Sequence, residues 1–173
     1  MIYSVGSIFL DHIIKIDSFP KKPIKILAQG IEKRLGGSAA VASFTIKKLG
    51  IDASFIGRLG DDDVSKYLIG ELNKFKIDHK DIVSIKSTKS SQSYVYEDKK
   101  GERLLAAFNE KKLLNNKKLP KISFKKNTTF MTDLRWIEAT HYIAKNCKEK
   151  NLIQVVDLDN YKLNFKVKQI VNL

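Results

Sequence analysis

Ile2–Val5 is a short run of β-favouring residues closed by Gly6, which predicts a buried first strand. Ile13–Asp17 alternates, with Ile14 and Ile16 set against Lys15 and Asp17, and predicts a second strand. Phe19-Pro20-Lys21-Lys22-Pro23 is a turn, because its prolines exclude a helix. Ile24–Arg34 is extended and partly alternating, as in a sheet with one wet face. Leu35-Gly36-Gly37-Ser38 breaks that strand and opens a helix over Ala39–Leu49, with Ser38 as the expected N-cap and Gly50 as its stop. Ala53–Ile56 predicts a strand and Gly57–Gly60 a turn. Asp61-Asp62-Asp63 places carboxylates where a helix dipole favours them. Val64, Leu68, Leu72 and Phe75 then recur at helical spacing.

After residue 80 the pattern changes. Ser91–Glu97 alternates, Asp98-Lys99-Lys100-Gly101 turns, and Glu102–Phe108 is strand-like again, which predicts a β-hairpin. Residues 110–127 are rich in Lys and Asn and read as a surface connection. Thr128–Thr132 predicts a buried strand, and Trp136, Ala139, Ile143, Ala144 and Cys147 mark one face of a helix. Leu152–Val156 predicts another strand, and Leu163–Leu173 a further helix. Strand, glycine turn and helix in repeated order predict parallel α/β units. Two extended stretches, about 13–34 and 91–108, interrupt that layer. They predict a separate small sheet, a lid over the crevice at the carboxyl ends of the strands.

The chain has 173 residues, 43% of them hydrophobic, which suits one domain with a real core. A single cysteine, Cys147, excludes a disulfide framework and lies on the apolar face of its helix, where it packs. His12, His79 and His141 are far apart and argue against a histidine metal site. No apolar run reaches the roughly 18 residues of a membrane span, and no signal peptide is legible, so a cytoplasmic protein without membrane contact is expected. The formal net charge is +13, yet 28 of the 32 basic residues are scattered lysines and aromatics do not interleave with them. That favours a solvated lysine-rich surface over nucleic-acid binding.

Candidate chemistry sits after strand ends. Asp11 follows the first strand; it is either a ligand-binding or an ordinary surface carboxylate. Gly36-Gly37 is either a tight turn or a place where backbone N–H groups approach a ligand. Arg135, beside Asp133, can aim its fork at an anionic or polyhydroxyl ligand, or form a surface ion pair. Asp157 and Asp159 end the last strand, and Ser90-Ser91-Gln92-Ser93 can hydrogen-bond a ligand under the lid. No P-loop, G-x-G-x-x-G fingerprint or G-x-S-x-G elbow occurs.

Three pieces together resemble the PfkB, or ribokinase-like, carbohydrate kinases. They are Val5-Gly6-Ser7-Ile8-Phe9-Leu10-Asp11-His12-Ile13, Gly36-Gly37-Ser38-Ala39-Ala40, and Phe55-Ile56-Gly57-Arg58-Leu59-Gly60-Asp61-Asp62-Asp63. Ser90–Ser93, Lys100-Gly101-Glu102-Arg103 and Asp133-Leu134-Arg135-Trp136 look most like the sulfofructose kinase branch. The resemblance implies a three-layer α/β/α fold with a mostly parallel sheet and a small β-sheet lid. It also implies phosphoryl transfer from ATP, with Mg²⁺, to a sugar hydroxyl. Asp11 matches the family's sugar-hydroxyl-binding aspartate, and Gly36 and Gly37 its substrate-side glycine pair. Lys25 and Arg135 match positions that hold an anionic end of the substrate in the sulfofructose branch. Phe9 and Val41 stand where ribokinases carry asparagines, which argues against ribose, and Ala107 lacks a polar contact expected in the sulfofructose branch.

The resemblance places the family's D-T-x-G-A-G-D segment, with its catalytic base, and its N-x-x-E segment beyond residue 173. The resemblance therefore implies that residues 1–173 are a partial kinase domain, the sugar side and lid, inactive alone. A homodimer through the lid is a further expectation. The alternatives are another PfkB branch (ketohexokinase-like, ribokinase-like or aminosugar), a non-catalytic binding domain, or a basic nucleic-acid binder.

Overall fold

A computed structural model describes residues 1–158; the expected helix at Leu163–Leu173 and Asp159 lie outside the described residues. The main sheet is wholly parallel and contains β1 (Ile2–Gly6), β4 (Ala53–Leu59), β5 (Val83–Ser84), β8 (Thr129–Asp133) and β9 (Ile153–Asp157). Their order is β5-β4-β1-β8-β9. A second sheet has the order β3-β2-β6-β7, from β2 (Phe9–Lys15), β3 (Gly30–Gly36), β6 (Gln92–Glu97) and β7 (Arg103–Phe108). The expected lid sheet thus forms. Its first segment starts at Phe9 rather than residue 13, because β2 pairs along its whole length with β3 and from Leu10 with β6. Residues 24–29, expected to be extended sheet, carry no strand, and Ile24 and Leu27 are exposed.

Helices cover both faces of the main sheet. α1 (Ser38–Lys48) and α2 (Asp63–Lys74) pack Ala39, Ala40, Leu68 and Leu72 against Ile8, Phe55 and Leu59. On the other face, α4 (Ile137–Lys150) packs Ala139, Ile143 and Cys147 against Val5, Ile56 and Phe130. β4 therefore has cover on both sides, and all seven of its residues are buried. Burial pushes the Cys147 thiol up to about 11, as befits a packing group. The 110–127 connection holds a four-residue helix, α3 (Lys111–Leu114). It is more than surface: Leu113 is buried, and Leu119, Ile122 and Phe124 pack on the core while the lysines point out.

Two local expectations are corrected. Ser38 is not the N-cap of α1; Gly37 is, at φ 92°, with no side-chain cap. A Cβ on Gly37 would lie 2.6 Å from the Ser7 carbonyl oxygen, so the chain crosses there too closely for a side chain. Gly57 is not in a turn. It pairs with Gly6 in the parallel ladder, and the turn is confined to the residues after Leu59.

The chain crosses between the two sheets four times, and carboxylates hold three of the crossings. Asp133 Oδ2 accepts from Ser7 N (2.8 Å) and Ser7 Oγ (2.6 Å), which ties the exit of β1 to the end of β8. Asp61 accepts from Ser87 N (3.0 Å) and Thr88 N (3.3 Å), and Asp62 from Ser90 N (3.0 Å) and Ser90 Oγ (2.7 Å). Asp62 is also the N-cap of α2, accepting from Ser65 N at 3.1 Å, which meets the expectation for this acidic cluster. Glu110, past β7, accepts from Lys89 N. The remaining crossing is the Gly36-Gly37 approach.

Candidate functional site

A cavity of about 510 Å³ opens at the carboxyl ends of β1 and β8, between them and the lid. This is where an open α/β sheet is expected to bind its ligand. Its lining includes Gly6, Ser7, Phe9, Asp11, Gly37, Arg58, Ser91, Ser93, Ala107, Asn109, Leu114, Arg135, Trp136 and Glu138.

Asp11 stands on β2 and faces the cavity. Ser93, its neighbour on β6, donates its hydroxyl to Asp11 Oδ1. Asp11 Oδ2 lies against Gly36 on β3, and a Cβ on Gly36 would fall onto the carboxylate. Gly36 is thus required by Asp11, while Gly37 lines the cavity itself. The structure brings Asp11, Gly37 and Arg135 to one cavity, with Gly36 behind Asp11. Lys25 is not brought there: it is exposed in the segment between β2 and β3, off the cavity wall.

Asp133 is buried and already engaged by Ser7 and by Arg135 N (2.9 Å), so its carboxylate holds backbone and leaves little capacity for a ligand. Arg135 is exposed at the cavity rim. Asp157, at the end of β9, lies outside this cavity, in a smaller one of about 130 Å³ beside α1.

Two lining residues were not singled out as site residues in the sequence. Arg58 ends β4 and is buried, with its guanidinium 4.8 Å from the Trp136 ring centroid. It donates to the carbonyls of Leu114 (2.7 Å), Asn116 (3.4 Å) and Arg135 (3.1 Å), stitching two segments of the cavity wall together. Burial lowers its pKa below the ordinary guanidinium value, opposed by the charges of Glu138 and Asp133. It remains a cation, because a guanidinium does not lose its proton in proteins. Asn109, just past β7, accepts from Ser91 Oγ at 2.7 Å. The strand alternation, continued two residues beyond Ala107, would have pointed it to the same face.

Among the described residues, no group of three or more His, Cys, Asp or Glu side chains is placed to hold a metal ion. None of their helices is long and apolar enough to cross a membrane.

Residues 1–163 match the family model described as pfkB family carbohydrate kinase. The chain belongs to the PfkB carbohydrate kinase family. A Pyrococcus horikoshii protein named as a sugar kinase is 32% identical over 101 residues, 58% of this chain and 30% of that protein. An Arabidopsis thaliana protein named as a fructokinase is 30% identical over 105 residues, 60% of this chain and 29% of that one. Among solved structures, a ribokinase-type protein of Agrobacterium tumefaciens matches with a TM-score of 0.84 at 21% identity, covering 98% of this chain and 55% of that one. The Arabidopsis thaliana ribokinase complexed with ribose and ATP matches with a TM-score of 0.75 at 20% identity, covering 96% and 56%. The PfkB chain described here therefore spans about half the length of these solved structures. Their likeness establishes the ribokinase-like fold, with its mostly parallel sheet and separate small sheet.

Proposed function

We propose that residues 1–173 form the sugar-binding side and lid of an ATP-dependent kinase acting on a ketose-like sugar or sugar derivative. The observation that carries this is Asp11. It is a carboxylate on the lid floor, facing the cavity, with one described hydrogen-bond partner and a glycine cleared behind it. Ionised, it accepts a hydrogen bond from a sugar hydroxyl, fixing that hydroxyl relative to the strand ends. Gly37 lets the sugar approach backbone at the start of α1. Arg135 at the rim supports a substrate with an anionic end, of which sulfofructose is the proposed case. Lys25 joins that contact only if its segment moves onto the cavity.

ATP would supply the phosphoryl group and Mg²⁺ its charge neutralisation. The part we assign to the described residues is binding and orienting the sugar and excluding water under the lid. The 173-residue chain alone is accordingly proposed to have no kinase activity.

Titration of the chain with D-fructose, D-ribose and sulfofructose tests this reading. Saturable binding of a sugar is expected, weakened at least about tenfold by Asp11→Ala, with no ATP-dependent turnover above a no-enzyme control. Turnover by the chain alone overturns the inactivity, and equal binding by Asp11→Ala overturns the assignment of Asp11.

The outer face of the lid supports self-association. Ile31, Ile14, Tyr96 and Leu104 form one row across all four strands there. Ile31 and Leu104 are 69% and 60% exposed, so the row offers an apolar stripe to a second lid. Sedimentation would show the dimer, and Leu104→Lys should abolish it; a strict monomer at high concentration rejects it.

A further inference from the structure

The cavity-facing side of the lid is a grid whose rows follow from strand register. Asp11 stands beside Ser93, and Ser93 opposite Ala107. The ladders end at Leu10–Gln92 and Gln92–Phe108; the same alternation carried one residue further sets Phe9 near Ser91 and Ser91 opposite Asn109. All six line the cavity. The bond from Ser91 Oγ to Asn109 Oδ1 (2.7 Å) agrees with that register.

Each row holds one polar station. In the first, Asp11 accepts. In the second, Ser91 is buried and its hydroxyl proton is committed to Asn109 Oδ1. That contact fixes which way the carboxamide faces and leaves Nδ2 as a donor with no partner among the described residues. Ala107 carries no polar atom, so β7 offers no other polar side chain between the stations. Asp11 on β2 and Asn109 past β7 have β6 between them and also differ by two residues along the strands, which alone span about 7 Å. Neighbouring hydroxyls of one sugar ring are much closer than that.

We propose that Asn109, oriented by Ser91, is a specificity-determining residue that donates to a second sugar oxygen, on a carbon not adjacent to the one read by Asp11. The inference deepens the sugar-binding reading and rests on it. Acceptor and donor at two separated points select a sugar by the relative placement of two oxygens, where Asp11 alone would take any exposed hydroxyl.

The test is calorimetric titration of the 173-residue chain with the tighter-binding of D-fructose and D-ribose, and with each mono-deoxy analogue of that sugar. Asn109→Ala should weaken the parent sugar about three- to tenfold, and for one analogue the variant and the unaltered chain should bind alike. Asp11→Asn should be indifferent to a different analogue, with the two missing hydroxyls on non-adjacent carbons. Asn109→Asp keeps the shape but loses the donor, and should weaken binding as Asn109→Ala does; full binding by it means packing, not donation, and overturns the proposal. If Asn109→Ala does not fold, Asn109→Asp and Ser91→Ala give the same readout. Unchanged affinity in folded Asn109 variants, or both stations mapping to one carbon or to neighbours, overturns the proposal while the sugar reading stands. No sugar binding by the unaltered chain overturns both.

Discussion

Strand β4 reads Ala-Ser-Phe-Ile-Gly-Arg-Leu and strand β7 reads Arg-Leu-Leu-Ala-Ala-Phe. Their apolar content is similar, yet every residue of β4 is buried and every residue of β7 is exposed. The difference lies in what stands above and below. β4 is paired by β1 and β5 and covered by helices on both faces; β7 is the edge of a four-stranded sheet. An apolar strand in the main sheet contributes through burial. In the lid the same kind of strand offers its surface to something else: the cavity on one face, a second lid or solvent on the other. β7 is therefore held mainly by its ladder with β6, while the rest of the lid adds the buried Leu10, Ile13 and Val95 and the carboxylates at its roots.

The largest effect should come from the buried side of this contrast. Phe55→Ala, in the middle of β4 at full burial, should cost about 3–5 kcal/mol in urea denaturation. Leu104→Lys on β7, measured at a concentration too low for dimers, should stay within about 0.5 kcal/mol. Similar losses from both would mean that the lid shares the core's burial.

An intermediate effect should come from the roots. Asp133→Ala removes the acceptor of three hydrogen bonds at a buried position, and should cost about 3 kcal/mol by the same measurement. Asp11→Ala, with one described partner, should cost much less while removing sugar affinity. If the two variants exchanged these phenotypes, the division between a holding and a reading carboxylate would fail.

The smallest effect is one of pH. The backbone N–H groups of Ser87, and next Thr88, hold the Asp61 carboxyl below its ordinary 3.8. A carboxyl lowered in the folded state stabilises above its unfolded value, and that contribution is lost as pH falls through the folded one. The loss therefore lies below pH 3.8. Between about pH 5 and about pH 3, the urea midpoint should fall less in Asp61→Asn than in the unaltered chain. Parallel falls would show that this root carries no acid sensitivity.

Much of the architecture was legible in local pattern. Val64, Leu68, Leu72 and Phe75 marked α2 because one covered face imposes helical spacing. The departure of two extended stretches into their own sheet was also legible. The start of β2 was not, because Phe9, Asp11 and His12 place side chains of different character on both faces of the lid. Gly57 was misread as a turn because its need for room comes from the Phe55 ring on its own strand and from Gly6 across the parallel ladder. At the site, Asp11 and the glycine pair carried a recognisable local pattern. Arg58 lay within one of the resembling pieces, but its role there did not show: its partners lie 56 to 77 residues away. Asp61 and Asp62 showed their helix-capping side, while their grip on residues 87–90 depends on contacts 26 to 28 residues distant. Chemistry built from distant backbone leaves no periodicity to read.

The tie between Ser7 and Asp133 joins positions 126 residues apart. β1 is the middle strand of the main sheet and the first of the described strands to leave the ribosome, while β8, its neighbour on one side, is made last but one of them. During synthesis β1 can pair with β4 long before its other edge is covered. Until Asp133 emerges, the amide of Ser7 lacks its acceptor and the first crossing into the lid has no anchor. Nucleation must wait for long-range contacts, so this topology folds slowly. Meanwhile the nascent chain carries an open, apolar strand edge, the kind of surface that chaperones cover.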